Sequence, residues 1–338
     1  MKRLTGTPLR LGVLFTAALA ANALGQQPAA QPAPPTRVIA KIRGDLYRFQ
    51  NNTHNSWFLV TPEGVIVGDP INADAAAWLK NEIAQRFKVP VRYLVYSHHH
   101  WDHASGGAVF DDTAELVGHA NMPVSLRDAV ANLQTSQRLQ DRNKNRRVDR
   151  DEVTGGLAAV FDTLDRNRDG GLDGSEVLGD VRAPESTYTD RKTITLGGKT
   201  VELIHPGPNH SDDATVVYFP AERVVYAVDW VNVRTPPGGL AGETTLAQWI
   251  SALKKVEALD FDLVAPGHGN IGTKADFIDY RQYFEDLVAA VSRGIAAGQT
   301  VEQLQASNIL EKYAWWLNYP TARNTNIAQA YDMLKGAR

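Results

Sequence analysis

The chain predicts an α/β sandwich, two sheets packed face to face with helices outside, carrying a small α-helical insertion. Three observations lead there. Short apolar, β-branched runs alternate with amphipathic helical stretches, the pattern of sheets covered by helices. Histidines and aspartates repeatedly fall just after such runs, where a strand leaves its sheet. Two acidic loops with calcium-binding spacing interrupt the pattern midway.

The elements follow in order. Met1-Lys2-Arg3 and Arg10 precede an apolar run from Leu11 to Ala20, with small residues at Ala21, Ala23 and Gly25. A basic start, a short apolar stretch and a small-residue cleavage site predict a secretory signal peptide over residues 1–25. The run is too short for a confident membrane span, although an uncleaved anchor is the competing reading. Residues 26–36 form a Pro/Ala/Gln linker that cannot build a core. Residues 37–338 then carry the main domain. Strands are expected at 47–60 (a hairpin), 64–69, 92–96, 192–196, 200–204, 215–219 and 223–229, the last two joined across Pro220-Ala221-Glu222. Helical periodicity covers 74–87, 246–259, 274–293 and 324–334.

The buried-strand run Val91-Arg92-Tyr93-Leu94-Val95-Tyr96 ends in His98-His99-His100-Trp101-Asp102-His103, an H-x-H-x-D-H run. Packing does not explain four potential metal ligands in so short a segment. Neutral imidazole together with carboxylate suits zinc or another borderline divalent metal. Further candidates sit at the ends of later strands. His210 lies in Pro206-Gly207-Pro208-Asn209-His210, Asp229 ends Val224-Val225-Tyr226-Ala227-Val228, and His268 lies in Pro266-Gly267-His268-Gly269. Most adjoin small or turn residues that let the backbone approach a shared centre.

Between the first ligand run and His210, residues 165–176 fit D-x-[DN]-x-[DN]-G-x5-E at every specified position. Asp165, Asn167 and Asp169 offer side-chain oxygens, Gly171 its carbonyl, Asp173 a water-mediated contact, and Glu176 closes the shell. Residues 141–152 form a weaker partner, with Asp141, Asn143, Asn145, the Arg147 carbonyl and Glu152 as candidate ligands. There Asn145 replaces an acid, and Arg146 replaces the glycine of the sharp turn. One helix between the loops would make residues 125–185 a paired EF-hand insertion. Calcium is expected to fold this lobe over the metal site.

The H-x-H-x-D-H run with the later His, Asp and His resembles the metallo-β-lactamase superfamily, from about residue 37 to the C-terminus. Val67-Gly68-Asp69-Pro70 is similar to its early strand-end Asp motif. The resemblance implies a metallo-β-lactamase-type αββα sandwich. It implies that His98, His100 and His210 bind one zinc, that Asp102, His103 and His268 bind a second, and that Asp229 bridges them. Asp69 would orient the cluster, or simply close a strand-end turn. Paired metals lower the pKa of a shared water toward neutrality, so that a metal-bound hydroxide attacks, with Asp102 both ligating and aligning it.

Asp229 in the bridging place resembles glyoxalase II-type thioesterases, lactonases and phosphodiesterases, whereas zinc β-lactamases mostly carry Cys or Ser there. The expectation is therefore an exported dinuclear zinc hydrolase of an ester, lactone or related acyl bond, periplasmic or extracellular. The alternatives are β-lactam hydrolysis, a thioester hydrolase or persulfide dioxygenase-like enzyme, and a calcium-dependent binding module with a degenerate metal site. His54 and Asn55, in the first hairpin turn, and Trp101 are the candidate substrate contacts. Trp101 would equally pack beneath the loop, and Trp315, Trp316 and Tyr319 would line a mouth or pack. With no cysteine there is no disulfide, lipid-anchored thiol or thiolate ligand. A net charge of −3 is unremarkable and argues for no nucleic-acid partner and no membrane partner after signal cleavage; the expected partner is a small-molecule substrate.

Overall fold

The computed structural model describes Met1, residues 34–240 and residues 244–336. The expected signal peptide beyond Met1 and most of the linker lie outside the described residues.

A seven-stranded sheet contains, in spatial order, β1 (Arg37–Arg43), β2 (Leu46–Asn51), β3 (His54–Thr61), β4 (Gly64–Val67), β5 (Val91–Val95), β6 (Glu115–His119) and β9 (Ser186–Tyr188). A six-stranded sheet contains β10 (Arg191–Leu196), β11 (Lys199–Ile204), β12 (Val216–Phe219), β13 (Val224–Tyr226), β14 (Leu263–Ala265) and β15 (Gly272–Thr273). The helices are α1 (Ala73–Phe87), α2 (Trp101–Ala104), α3 (Met122–Asn132), α4 (Thr135–Arg138), α5 (Gly155–Leu164), α6 (Gly174–Val177), α7 (Leu246–Glu257), α8 (Lys274–Ala296), α9 (Val301–Ala306) and α10 (Tyr319–Gly336). Among the described residues, no helix is long and apolar enough to cross a membrane.

Three apolar layers hold the sandwich. Leu46, Trp57, Ile66, Val95, Val201 and Phe219 fill the space between the sheets. Leu79 and Ile83 of α1 cover the outer face of the first sheet. Trp249 and Leu253 of α7, with Phe277 and Phe284 of α8, cover the second. The layers match the strand periodicity, because successive side chains point to opposite faces and both faces are covered.

Helix ends follow from local chemistry. Asn72 caps α1 by accepting from the Ala75 amide at 2.8 Å, and the helix stops at Lys88 in the left-handed region. Thr245 with Gln248 and Thr273 with Asp276 form capping boxes at α7 and α8. The last helix begins earlier than its periodicity suggests, at Tyr319. Strand β13 stops at Tyr226, short of residue 229, and the chain turns at Asp229 with φ 65°.

The crossover from β6 to β9 is replaced by a lobe holding α3 to α6 and a two-stranded ribbon of β7 (Val148–Asp149) and β8 (Gly171–Leu172). Leu133, Val148, Leu157, Phe161, Leu164, Leu172 and Val177 give the lobe its own core.

Asp262, just before β14, ties the two sheets together. Its carboxylate accepts from Arg223 Nε at 3.1 Å and Nη2 at 3.0 Å, and from Arg43 Nη1 of β1 at 2.7 Å. The guanidiniums of Arg223 and then Arg43 hold its carboxyl down at about 2, against about 3.9 for a free Asp. A lowered acid pKa stabilises fully above the unfolded value, and the contribution drains as pH falls toward the folded one. Asp262→Asn should therefore lower the urea midpoint at pH 7. The gap from wild type should shrink steadily between pH 4 and pH 2.

Candidate metal centre

Parallel pairing of β4 with β5, and of β13 with β14, puts their carboxyl ends on one edge of the sandwich. From that edge leave the segments carrying Asp69, His98 to His103, Asp229 and His268. His210 comes from the loop between β11 and β12, and β11 runs in the same direction as β13. The turn between β2 and β3 reaches the same place. His54 bridges to His268, and the Asn55 amide donates to Gly267 O at 2.7 Å.

The H-x-H-x-D-H run changes conformation within itself. His100 is still extended and caps the single turn of α2, which carries Asp102 and His103. The side chains divide into two groups, His98 with His100, His210 and Asp229, and His54 with Asp102, His103 and His268. In each, one potential ligand atom per residue lies within 4.8 Å of the others. Asp229 touches both groups. Its Oδ2 lies 3.8 Å from His98 Nε2, 3.8 Å from His210 Nε2 and 3.0 Å from His103 Nε2, and its Oδ1 lies 3.3 Å from His268 Nε2.

Hydrogen bonds settle several ring orientations. His268 Nδ1 donates to Thr53 O at 3.0 Å, leaving the Nε2 lone pair toward Asp229. His54 Nε2 donates to Asp102 Oδ2 at 3.2 Å. His100 Nδ1 and His210 Nε2 face each other at 3.0 Å. Asp69 accepts from the Ser97 amide at 2.7 Å, and its other oxygen lies 3.7 Å from His103 Nδ1.

Burial, then the neighbouring imidazoles, push His98 well below the usual range and His100 down to about 3. Burial also lowers His210 and His268. These rings are neutral at neutral pH and keep a lone pair for a metal. Burial lowers His103 too, but the carboxylates of Asp229 and Asp102 outweigh it and raise His103 to about 10. Burial would raise Asp229, yet the His103 cation holds it well below the carboxylate range. Burial raises Asp69 to about 6, opposed by His103 and Ser97.

Several of these atoms lack partners. His98 Nε2, both ring nitrogens of His103 and Asp229 Oδ1 are buried without a hydrogen bond; His103 Nε2 approaches Asp229 without the alignment of one. Each unpaired buried polar atom costs about 1–3 kcal/mol. Convergent imidazole and carboxylate lone pairs are what a divalent cation satisfies, and this donor set fits a dinuclear zinc site.

A cavity of about 390 Å³ opens beside the first group. His99, His100 and His210 line one side; Ser125, Asp128 and Gln134 from the inserted lobe line another. Two candidate substrate contacts, Asn55 and Trp101, do not line this cavity. Asn55 is buried, and its amide donates to Gly269 O at 3.0 Å, bracing the His268 loop. Trp101 packs on the apolar core of the lobe. His54 belongs with the second ligand group. Trp316 and Tyr319 are buried in the core outside the second sheet, and Trp315 is exposed beside a different cavity.

The sequence reading missed His99 with Asp213, and Gln134. His99 Nδ1 donates to the buried Asp213 at 2.9 Å. Gln134 Nε2 donates to His99 O at 3.1 Å, and its Oε1 accepts from the Trp101 amide at 3.4 Å. Only the adjacency of Asp212 and Asp213 to His210 hinted at the former, and nothing local marks Gln134.

A strand-end histidine and aspartate centre on two packed sheets defines a class of metal-dependent hydrolase. The chain belongs to the metallo-beta-lactamase superfamily, whose family model matches residues 51–268. It is 24% identical over 237 residues to the 2,4-dinitroanisole O-demethylase subunit alpha of Nocardioides sp. (strain JS1661), covering 69% of this chain and 58% of that protein. It is 23% identical over 290 residues to a linear primary-alkylsulfatase of Pseudomonas sp. (strain ATCC 19151), covering 80% of this chain and 54% of that one. The chain thus spans little more than half the length of these curated relatives. A metallo-beta-lactamase from Pontibacter korlensis shares the fold at 16% identity and a TM-score of 0.54, over 74% of this chain and all of that one.

Gly267 has no room for a side chain. A Cβ there would lie 2.6 Å from Val228 Cγ1, 2.7 Å from Asp229 Oδ1 and 3.1 Å from His103 Cε1. Gly267→Ala should displace the carboxylate between the two groups and weaken zinc binding by about 10–100-fold, the usual cost of disturbing ligand support. Competition against a chelator, with circular dichroism to show an intact fold, measures this.

Proposed function

We propose that this protein is an exported dinuclear zinc hydrolase that cleaves an ester, lactone or related acyl bond. One observation carries the reading: Asp229 lies between two histidine-rich groups beside a cavity open to a small molecule. His98, His100 and His210 would hold one zinc and Asp102, His103 and His268 the other, with Asp229 set between the two groups. Zinc bound there supplies Lewis acidity and a water acidified toward neutral pH.

The chain's own groups do the rest. Asp102 Oδ2 accepts from His54 Nε2, which fixes the carboxylate and offers it a route for a proton. Asn55 and the Thr53 carbonyl hold the His268 loop, so that its ring stays aimed at Asp229. His99, oriented by Asp213, presents its ring to the cavity wall. Export rests on the basic, apolar and small-residue pattern of residues 1–25. The lobe, residues 125–185, is read as a paired EF-hand that binds calcium. Pairing of Val148 with Leu172, the eighth residue of each loop, supports it.

A sulfate ester is the second reading, favoured by the alkylsulfatase relative aligned over 80% of this chain. Zinc-loaded wild type and Asp102→Ala should be assayed against an aryl ester, a lactone, a thioester, a primary alkyl sulfate and a β-lactam. Ester or lactone turnover that falls at least a hundredfold in the variant is expected. Turnover of the alkyl sulfate or the β-lactam alone would overturn the acyl assignment. Equal activity in the variant would remove Asp102 from the chemistry.

A further inference from the structure

The two loops of the lobe are alike in backbone and unlike in how their closing glutamates are held. Both turn through left-handed residues at the same places, Lys144 and Arg146 in the first, Arg168 and Gly170 in the second. In the first loop the closing Glu152 is satisfied by the protein. Its Oε1 accepts from the Arg142 and Asn143 amides at 2.9 and 3.1 Å, and its Oε2 from the Asp149 amide at 3.2 Å. Asp149 Oδ2 in turn accepts from the side-chain amides of Asn143 and Asn145 at 2.8 and 2.9 Å. Asparagine can donate where aspartate cannot, so this loop closes on itself.

The second loop keeps an asparagine, Asn167, where the first has Asn143, but has no amide donor in place of Asn145. Asp169 stands where Asn145 does, and it is met by the guanidinium of Arg147, reaching across from the first loop. Glu176 is only 8% exposed. Its Oε2 accepts from the Asp173 amide at 3.2 Å, which folds the carboxyl back over the loop, and its Oε1 has no hydrogen-bond partner. A buried carboxylate oxygen without a donor, closing a loop that also carries Asp165, Asn167 and Asp169, points to a hard cation with oxygen ligands.

This loop lies directly behind the cavity wall. A Cβ on Gly174, at the start of α6, would be 2.2 Å from Ala129 O and 2.6 Å from Val130 O, so α6 rests on the end of α3. Ser125, Asp128 and Ala129 of α3 line the cavity. Just beyond α3, Gln134 is buried and clamps the backbone of His99 and Trp101 inside the zinc-ligand run. Trp101 itself packs on the core formed by Leu133, Leu172 and Val177.

We propose that the lobe takes a single calcium ion, in residues 165–176, and that this ion fixes the cavity wall and the zinc-ligand loop through α3, Gln134 and Trp101. The proposal rests on the calcium reading of the lobe but not on the identity of the substrate. Calorimetric titration of calcium into the zinc-loaded full chain should give one ion per chain. Glu176→Gln should weaken binding more than tenfold, and Glu152→Gln should leave it within about twofold. Absence of calcium binding would overturn the calcium reading itself. Two ions per wild-type chain, which needs no variant to fold, would overturn the single site. Hydrogen exchange with zinc kept bound tests the coupling. Calcium should slow exchange in residues 122–138 and 99–104 as well as in the loop, and Gln134→Ala should abolish the effect at 99–104 while leaving calcium affinity unchanged. Protection confined to residues 165–176 would overturn the coupling.

Discussion

Asp229 is a largely buried carboxylate set among imidazoles, and the arrangement of this edge of the protein follows from accommodating it. One oxygen faces His98, His210 and His103; the other faces His268. A charge taken out of water must be paired or bound to a metal. The carboxylates of Asp229 and Asp102 pull the His103 ring up, while burial pushes His98 and His100 down.

The fold provides what this constraint needs. Parallel pairing within each sheet brings strand ends from both sheets to one edge, and the turn between β2 and β3 closes it from the side. Gly267 lets the His268 loop pass against Asp229, where any side chain would collide. The inserted lobe is more than an appendage on this frame. It builds one wall of the cavity and, through Gln134, holds the backbone of the H-x-H-x-D-H run. Residues remote in sequence therefore act on the same segment as the candidate ligands themselves.

The sandwich was legible because its longer strands and helices carry clean periodicity, and the ligand run because its residues are adjacent in the chain. Strands β6 and β9 were not, since each is short and is defined by parallel pairing with distant neighbours. The helices α3 and α4 were hidden for another reason: α3 buries only Met122 and Ala129 along its eleven residues, and α4 is a single polar turn. His54 read as a turn residue facing substrate, and only the hairpin's approach to His268 shows it beside Asp102. Asn55 was read as a pocket residue and Trp101 as either a pocket wall or a ring packed beneath the loop, because a buried amide bracing a loop looks in sequence like one facing substrate. The calcium-loop spacing was visible from residue types, whereas the different fates of Glu152 and Glu176 depend on which donors fold around them.

The central claim is that Asp229 joins two metal sites into one centre. Its most direct test is to count zinc after equilibration against a weak chelator, in wild type and in Asp229→Ala. The account predicts two ions per wild-type chain, with at least one lost and the other weakened in the variant. Two zinc ions retained by Asp229→Ala at wild-type affinity would contradict it.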